Sequence, residues 1–166
     1  MNKDQFLSSI EDYFENVVQL DWLDDFAIIF ARRDGVPLYS QSSFSDDIEK
    51  DSIGALVSGV WQAARSLVDF LPADDESDIF RLSFDTSSRG IYLLPVMHKG
   101  DEYQLGIIYR NMVNPGAMKS KLRIIRNELE LFLDEVFNGE EESLKEDYLF
   151  EDITDDEMDN LFSFGN

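Results

Sequence analysis

Apolar residues along this chain change their period several times, and each change marks a boundary between elements. From Asp4 to about Leu20 they fall at Phe6, Ile10, Phe14 and Val17, with Leu7, Tyr13 and Leu20 alongside. That three- and four-residue spacing predicts an amphipathic helix. In "DDFAIIFARRDGVPLYSQ", Asp34-Gly35 is a hairpin-turn pair between two apolar runs. Phe26, Ile28 and Phe30 point one way and Ala27, Ile29 and Ala31 the other, so both faces are apolar and a central strand is expected. Pro37 cannot donate to a ladder and pushes the second run toward a sheet edge.

Between about Asp47 and Leu71 the pattern returns to helical spacing. Ile53, Leu56, Val57, Val60, Ala64, Leu67, Val68 and Leu71 form one continuous stripe, expected to face the chain's own sheet, and Pro72 follows it. "DIFRLSFDT" then alternates, with Phe80, Leu82 and Phe84 on one side and Arg81, Ser83 and Asp85 on the other, as in an edge strand. "GIYLLPVMH" and "EYQLGIIYRN" are joined by a second hairpin turn at Lys99-Gly100-Asp101, and the latter is apolar on both faces. Asn114-Pro115 is a cap followed by a proline suited to the first helical position. The helix it opens is expected to run to about Asn138, burying Leu122, Ile125, Leu129, Phe132, Leu133 and Val136, with Gly139 as its stop. The order helix, strand, strand, helix, strand, strand, strand, helix predicts an α+β fold with a five-stranded antiparallel sheet sandwiched between helices.

Charge changes the picture at one end. The 166 residues carry a formal charge of −21, while 43% hydrophobic content is ample for a core. From Gly139 onward 11 acidic residues stand against one Lys, so this short segment holds −10 and the rest −11. The expected division is a folded domain at 1–138 and an acidic linker with a C-terminal docking helix at 139–166. No basic patch stands out to displace counterions from nucleic acid or to hold an anionic membrane, so neither partner is expected. The opening "MNKDQFLSSIEDYF" interleaves acids with apolar residues, unlike a secretory signal, and no apolar run approaches ~20 residues. With no cysteine in the chain, a cytoplasmic setting is expected and thiol chemistry is excluded.

Candidate chemistry is sparse. "GAMKS" lacks the glycine spacing of a phosphate loop. The single histidine, His98, sits beside the Lys99-Gly100 turn and is expected at the surface. Asp155, Asp156, Glu157 and Asp159 lack the alternation and glycine of a calcium loop, so no metal and no cofactor is expected. Arg32 and Arg33, just before a turn, are expected to face solvent. Function by binding is the remaining class. Beside the apolar stripe of the second helix run Ser52, Ala55, Gly59, Ala63 and Ser66, at spacings of three and four. A row of small side chains lets another backbone approach closely, which points to an intermolecular surface. The alternating strand with Phe80, Leu82 and Phe84 is a candidate dimer interface, since an unpaired edge can extend a sheet across a two-fold axis.

The element order, the "ARRDGVPLYS" hairpin and the "DSIGALVSGVWQAARSL" helix resemble the Roadblock-type domain (a Roadblock/profilin-like fold), and within it the bacterial MglB proteins. The likeness runs from Phe26 to Phe137, and "ITDDEMDNLF" is similar to the acidic C-terminal helix motif of that family. The resemblance implies a homodimer with a shared sheet and the two second helices side by side. It implies as partner a Ras-like small GTPase of the MglA type with bound GTP, in control of bacterial cell polarity or motility. Such proteins act as GTPase-activating proteins that arrange the GTPase's own catalytic groups, with no catalytic residue of their own. By position, Ser52, Ala55, Gly59, Ala63, Ser66 and Phe70 would meet the partner. A cytoplasmic location follows, with concentration at a cell pole left open. Trp61 and Arg65 are bulkier than the family pattern, and the first helix is longer or more apolar. A second class stays open: a non-catalytic dimeric scaffold for polarity or signalling proteins.

The tail reads as a helix awaiting a groove. Thr154 and Glu157 form a capping box, and Ile153 with Met158 a hydrophobic staple. Asp156 and its neighbours place negative charge at the helix's positive end. Met158, Leu161 and Phe162 share one apolar face too small to hold about ten residues helical alone in water. Ile153, Asp156, Met158, Leu161 and Phe162 are therefore expected to dock on the partner.

Overall fold

The computed structural model describes residues 2–21, 23–44, 50–71 and 80–151, with the backbone alone at 50–51 and 139–151. The elements are α1 (Lys3–Asn16), β1 (Phe26–Arg32), β2 (Pro37–Ser42), α2 (Lys50–Val68), β3 (Leu82–Asp85), β4 (Arg89–His98), β5 (Asp101–Arg110) and α3 (Pro115–Glu151). Two compact units divide the chain, Met1–Glu130 and Leu131–Asn166. The first unit holds the whole sheet, α1, α2 and the opening turns of α3. The second contains the remainder of α3, helical to Glu151. No described helix is long and apolar enough to cross a membrane.

All five strands pair antiparallel in the order β2-β1-β5-β4-β3. β1 and β5 occupy interior positions because both of their faces are apolar, and β2 with its proline lies at one edge, as the pattern predicts. Lys99 and Gly100 both have positive φ, 46° and 92°, and join His98 to Asp101 in a two-residue hairpin turn. Gly35, at φ 87°, closes the β1–β2 connection, where its N–H donates to the Arg32 carbonyl at 2.9 Å.

Alternation sorts the strand residues onto two layers. On one face Ile29, Ala31 and Leu93 pack with Val57 and Trp61 of α2. On the other, Phe14 of α1 lies 6.0 Å from Phe30 and stacks on Tyr39 at 4.3 Å. Lys119 of α3 sits over the Tyr92 ring on this same face, and Met118, Leu122, Ile125 and Leu129 are buried. The sheet of the first unit is thus covered by α1 and α3 on one side and α2 on the other.

Four expectations change. α1 stops at Asn16, short of Leu20, because the N–H groups of Val17 and Val18 both close on the Tyr13 carbonyl. α3 does not stop at Gly139 but continues to Glu151. One glycine disfavours a helix by only about 1 kcal/mol, and the glutamates, leucines and lysine that follow are good helix formers. His98 is buried, not at the surface, since it still belongs to the β4 ladder and alternation sets it on the face of Tyr92, Leu94 and Val96. The stripe on α2 is the fourth, and it bears on function.

Candidate partner-binding surface on helix α2

The inner face of α2 is chosen by its smallest and largest side chains. Gly54 lies against Gly35 so closely that a Cβ at position 54 would stand 2.2 Å from the Gly35 carbonyl oxygen. One turn on, the Ser58 hydroxyl donates to the Arg33 carbonyl at 2.6 Å, and the Gln62 amide donates to Ser58 Oγ at 2.9 Å. The β1–β2 turn is thereby fastened to the helix. Trp61 fills the middle of the layer, fully buried, with Phe80 edge-on at 4.8 Å. Its indole N–H donates to Glu102 Oε1 at 2.7 Å, and Arg65 pairs with the other carboxylate oxygen. The Glu102 side chain is 7% exposed, so its charge is held by these two donors rather than by water. The bulk of Trp61 is turned into the layer between helix and sheet, while Arg65 stays partly in solvent and reaches only its guanidinium to Glu102. Gln104 is fully buried, and among the described residues neither of its amide atoms has a hydrogen-bond partner.

With Gly54, Val57, Ser58 and Trp61 inward, the residues expected in the core point out. Leu56 is 68% exposed and Leu67 69%, and Val60, Val68 and Leu71 are exposed too. The stripe covers too wide an arc to be buried on one sheet; only Val57 of its members is fully buried, with Ile53 and Ala64 half-buried. Ser52, Ala55, Gly59, Ala63 and Ser66 are all exposed, and a Cβ built at Gly59 meets nothing within 4 Å. Phe70 lies just past the helix end and is 85% exposed. Leu56, Val60, Ala63, Leu67 and Phe70 therefore follow one another at spacings of 4, 3, 4 and 3, the period of a helix–helix seam. Leu56, Val60 and Leu67 were missed as surface residues; the signal that could have found them is Trp61, whose size demands the interior.

β3 begins at Leu82, two residues later than the alternation from Phe80 suggests; Phe80 before it and Leu82 within it are half-buried against the chain's own core, while Phe84 is 65% exposed. β3 forms the end of the sheet opposite β2. It is secured from behind: Lys119 Nζ reaches Asp85 Oδ2 at 2.5 Å and Ser83 Oγ at 2.7 Å, and the Tyr109 hydroxyl donates to Asp85 Oδ1. Arg32 is paired with Asp34 at 2.8 Å, and both Arg32 and Arg33 are exposed. Ile153, Asp156, Met158, Leu161 and Phe162 lie outside the described residues.

Solved structures with this architecture exist. Myxococcus xanthus MglB superposes with a TM-score of 0.61 over 81% of this chain and 94% of its own, at 12% identity. The fold is of the Roadblock type. The gliding protein MglB from Thermus thermophilus gives 0.58 at 16% identity over 81% of this chain and 95% of that one. A Roadblock/LC7 domain from Streptomyces avermitilis gives 0.52 at 15% identity, covering 64% and 83%. By sequence alone no protein family and no curated protein matches the chain. Among the described residues of the first unit, α2 is the one helix on its side of the sheet, and its outer face is the broadest run of exposed apolar side chains.

Proposed function

We propose that this chain is a homodimeric regulator of a Ras-like small GTPase of the MglA type, stimulating GTP hydrolysis by holding the GTPase's own catalytic groups in their competent arrangement. The observation that carries the reading is the exposed 4-3 seam of α2 on a Roadblock-type fold. Burying a Leu, Val or Phe side chain contributes about 1.5–3 kcal/mol, so leaving Leu56, Val60, Leu67 and Phe70 in water is a standing drive to association. Ala55, Gly59 and Ala63 beside them let a second α2 approach closely, and the ends of the paired helices with Ser52, Ser66 and Phe70 would meet the GTPase. The outer edge of β3, unpaired among the described residues and with Phe84 exposed, is the second contact by which two copies would join their sheets. In this reading 1–138 is the dimerising, GTPase-binding domain. Residues 139–166 carry the acidic linker and a docking helix whose Ile153, Met158, Leu161 and Phe162 contact the GTPase. The regulator works in the cytoplasm, at a cell pole where polarity is set.

GTP turnover by an MglA-type GTPase, measured with and without two protomers of this protein per GTPase, tests the proposal. Acceleration is expected, and Val60→Asp together with Leu67→Asp should abolish both it and the dimer. Unchanged turnover sinks the activating role, and complex formation without acceleration would make the chain an adaptor. Deletion from Tyr148 onward is expected to leave the dimer folded and to weaken GTPase binding or alter nucleotide exchange. Identical affinity and exchange for both forms would remove the tail from the mechanism.

A further inference from the structure

The edge of the sheet at β2 is not used by the function proposed above, and a cleft of about 590 Å³ runs beside it. Five consecutive β2 residues, Pro37 to Gln41, line it. Successive strand side chains point to opposite faces, so lining by consecutive residues places the opening along the edge rather than over one face. α1 and the segment after it form the other wall, with apolar Leu7, Val18 and Leu20 and the acids Glu11, Glu15 and Asp21. Among the described residues no Lys or Arg lines the cleft.

The backbone at this edge is in phase to pair. The Ser43 N–H donates to the Phe26 carbonyl at 2.9 Å, and the register continues through Ile28–Gln41 and Phe30–Tyr39. Antiparallel bonding alternates, so Tyr39 and Gln41 bond inward to β1 while Ser40 and Ser42 present their N–H and C=O groups outward, up to the register shift at Leu38, where Ala31 faces Pro37. Such an edge takes up a strand readily. Charge decides which strand. The chain's own C-terminal segment, with 11 acids against one Lys, is repelled by this wall. A second copy pairing edge to edge would bring the same three acids toward their own images.

We propose that the β2 edge binds a positively charged, extended segment of a partner protein as a sixth strand, its alternate Lys or Arg side chains crossing α1 toward Glu11 and Glu15. The aliphatic stems of those side chains would lie on Leu7 and Val18 while their heads reach the carboxylates. The Tyr39 hydroxyl, raised in pKa by burial and then by Glu15 and Glu11, registers the negative field of both carboxylates at the strand itself. This site is separate from α2 and does not depend on the GTPase reading.

A fluorescein-labelled nonapeptide alternating lysine and valine, blocked at both ends, serves as probe in anisotropy titrations of the full chain at about 50 mM salt, where surface charge is weakly screened. Saturable binding is expected, at least tenfold weaker for the same peptide with alternate amides N-methylated and for its glutamate counterpart. Glu11→Gln with Glu15→Gln should weaken binding at least tenfold, and so should Ser40→Pro, which removes one outward N–H. Should Ser40→Pro fail to fold, the carboxamide pair and the N-methylated peptide carry the test. No saturable binding, equal binding of the N-methylated peptide, or full binding by the carboxamide pair would each overturn the proposal. Protection of the Ser40 and Ser42 amides from hydrogen exchange without peptide would also overturn it, because the edge would then already be paired.

Discussion

Two glycines five residues apart in α2 should respond to the same substitution with opposite signs. An alanine Cβ at position 54 would stand 2.2 Å from the Gly35 carbonyl oxygen and 3.5 Å from Pro37 Cδ. Ordinary carbon–oxygen contacts begin above 3 Å, so about 1 Å of backbone movement is required. The turn resists such movement. Gly35 and Arg32 are hydrogen-bonded within it at 2.9 Å, and the Arg33 carbonyl accepts from Ser58 at 2.6 Å. Overpacking of this kind costs about 1–3 kcal/mol, and a strained Ser58 bond adds about 1 kcal/mol. The better helix propensity of alanine returns about 1 kcal/mol, leaving Gly54→Ala destabilised by about 1–3 kcal/mol. At Gly59 a Cβ meets nothing within 4 Å, so Gly59→Ala keeps the propensity gain of up to about 1 kcal/mol. For a chain of this length each kcal/mol moves Tm by about 2–4 °C. Thermal and urea unfolding of both variants, at a protein concentration low enough to dissociate the proposed dimer because self-association would add its own stability, should show Gly54→Ala lower and Gly59→Ala higher. Shifts of the same sign would refute the placement of α2. Gly59→Ala should also weaken the proposed dimer, so that stability and association move in opposite directions in one variant.

Three other outcomes follow from the interior. Glu102→Leu leaves the buried Trp61 N–H without an acceptor and should lose about 1–3 kcal/mol, whereas Glu102→Gln retains an acceptor and should lose less; equal losses in urea unfolding would deny the indole bond. Gln104→Met replaces a buried amide that has no hydrogen-bond partner among the described residues and should gain about 1–2 kcal/mol, while a clear loss would reveal a bond at that amide. Burial, and secondarily the nearby Glu128, push the Tyr13 hydroxyl up to about 12 from 10.0. The unfolded chain ionises first, so this contribution is complete below pH 10 and is lost between about pH 10 and 12. Tyr13→Phe should flatten the alkaline fall in stability, and an unchanged slope would show that Tyr13 does not set it.

The strands and turns were legible because they depend on local rules. Two-sided apolar runs placed β1 and β5 inside the sheet, Pro37 put β2 at its edge, and Lys99-Gly100 and Asp34-Gly35 marked the reversals. The rotation of α2 was not legible, because its apolar residues cover too wide an arc for periodicity to choose a face. The choice is made by the contact of Gly54 with Gly35 and by Trp61 reaching Glu102, between positions far apart in the chain. The small residues from Ser52 to Ser66 were readable as outward-facing, but Leu56, Val60 and Leu67 beside them were not. His98 was misplaced by its nearness to a turn, although strand alternation from Tyr92 onward already set it inside.

The strand order also has a kinetic consequence. β5 pairs on one side with β4 across a two-residue turn and on the other with β1, where Ile107 meets Ile28. The first contact closes almost no loop; the second must gather nearly the whole intervening chain, α2 included. Folding is therefore expected to start at the β4–β5 hairpin, with docking of β1 onto it setting the rate. Destabilising changes within the hairpin should slow folding, while those at the far edge, in β2, should chiefly speed unfolding.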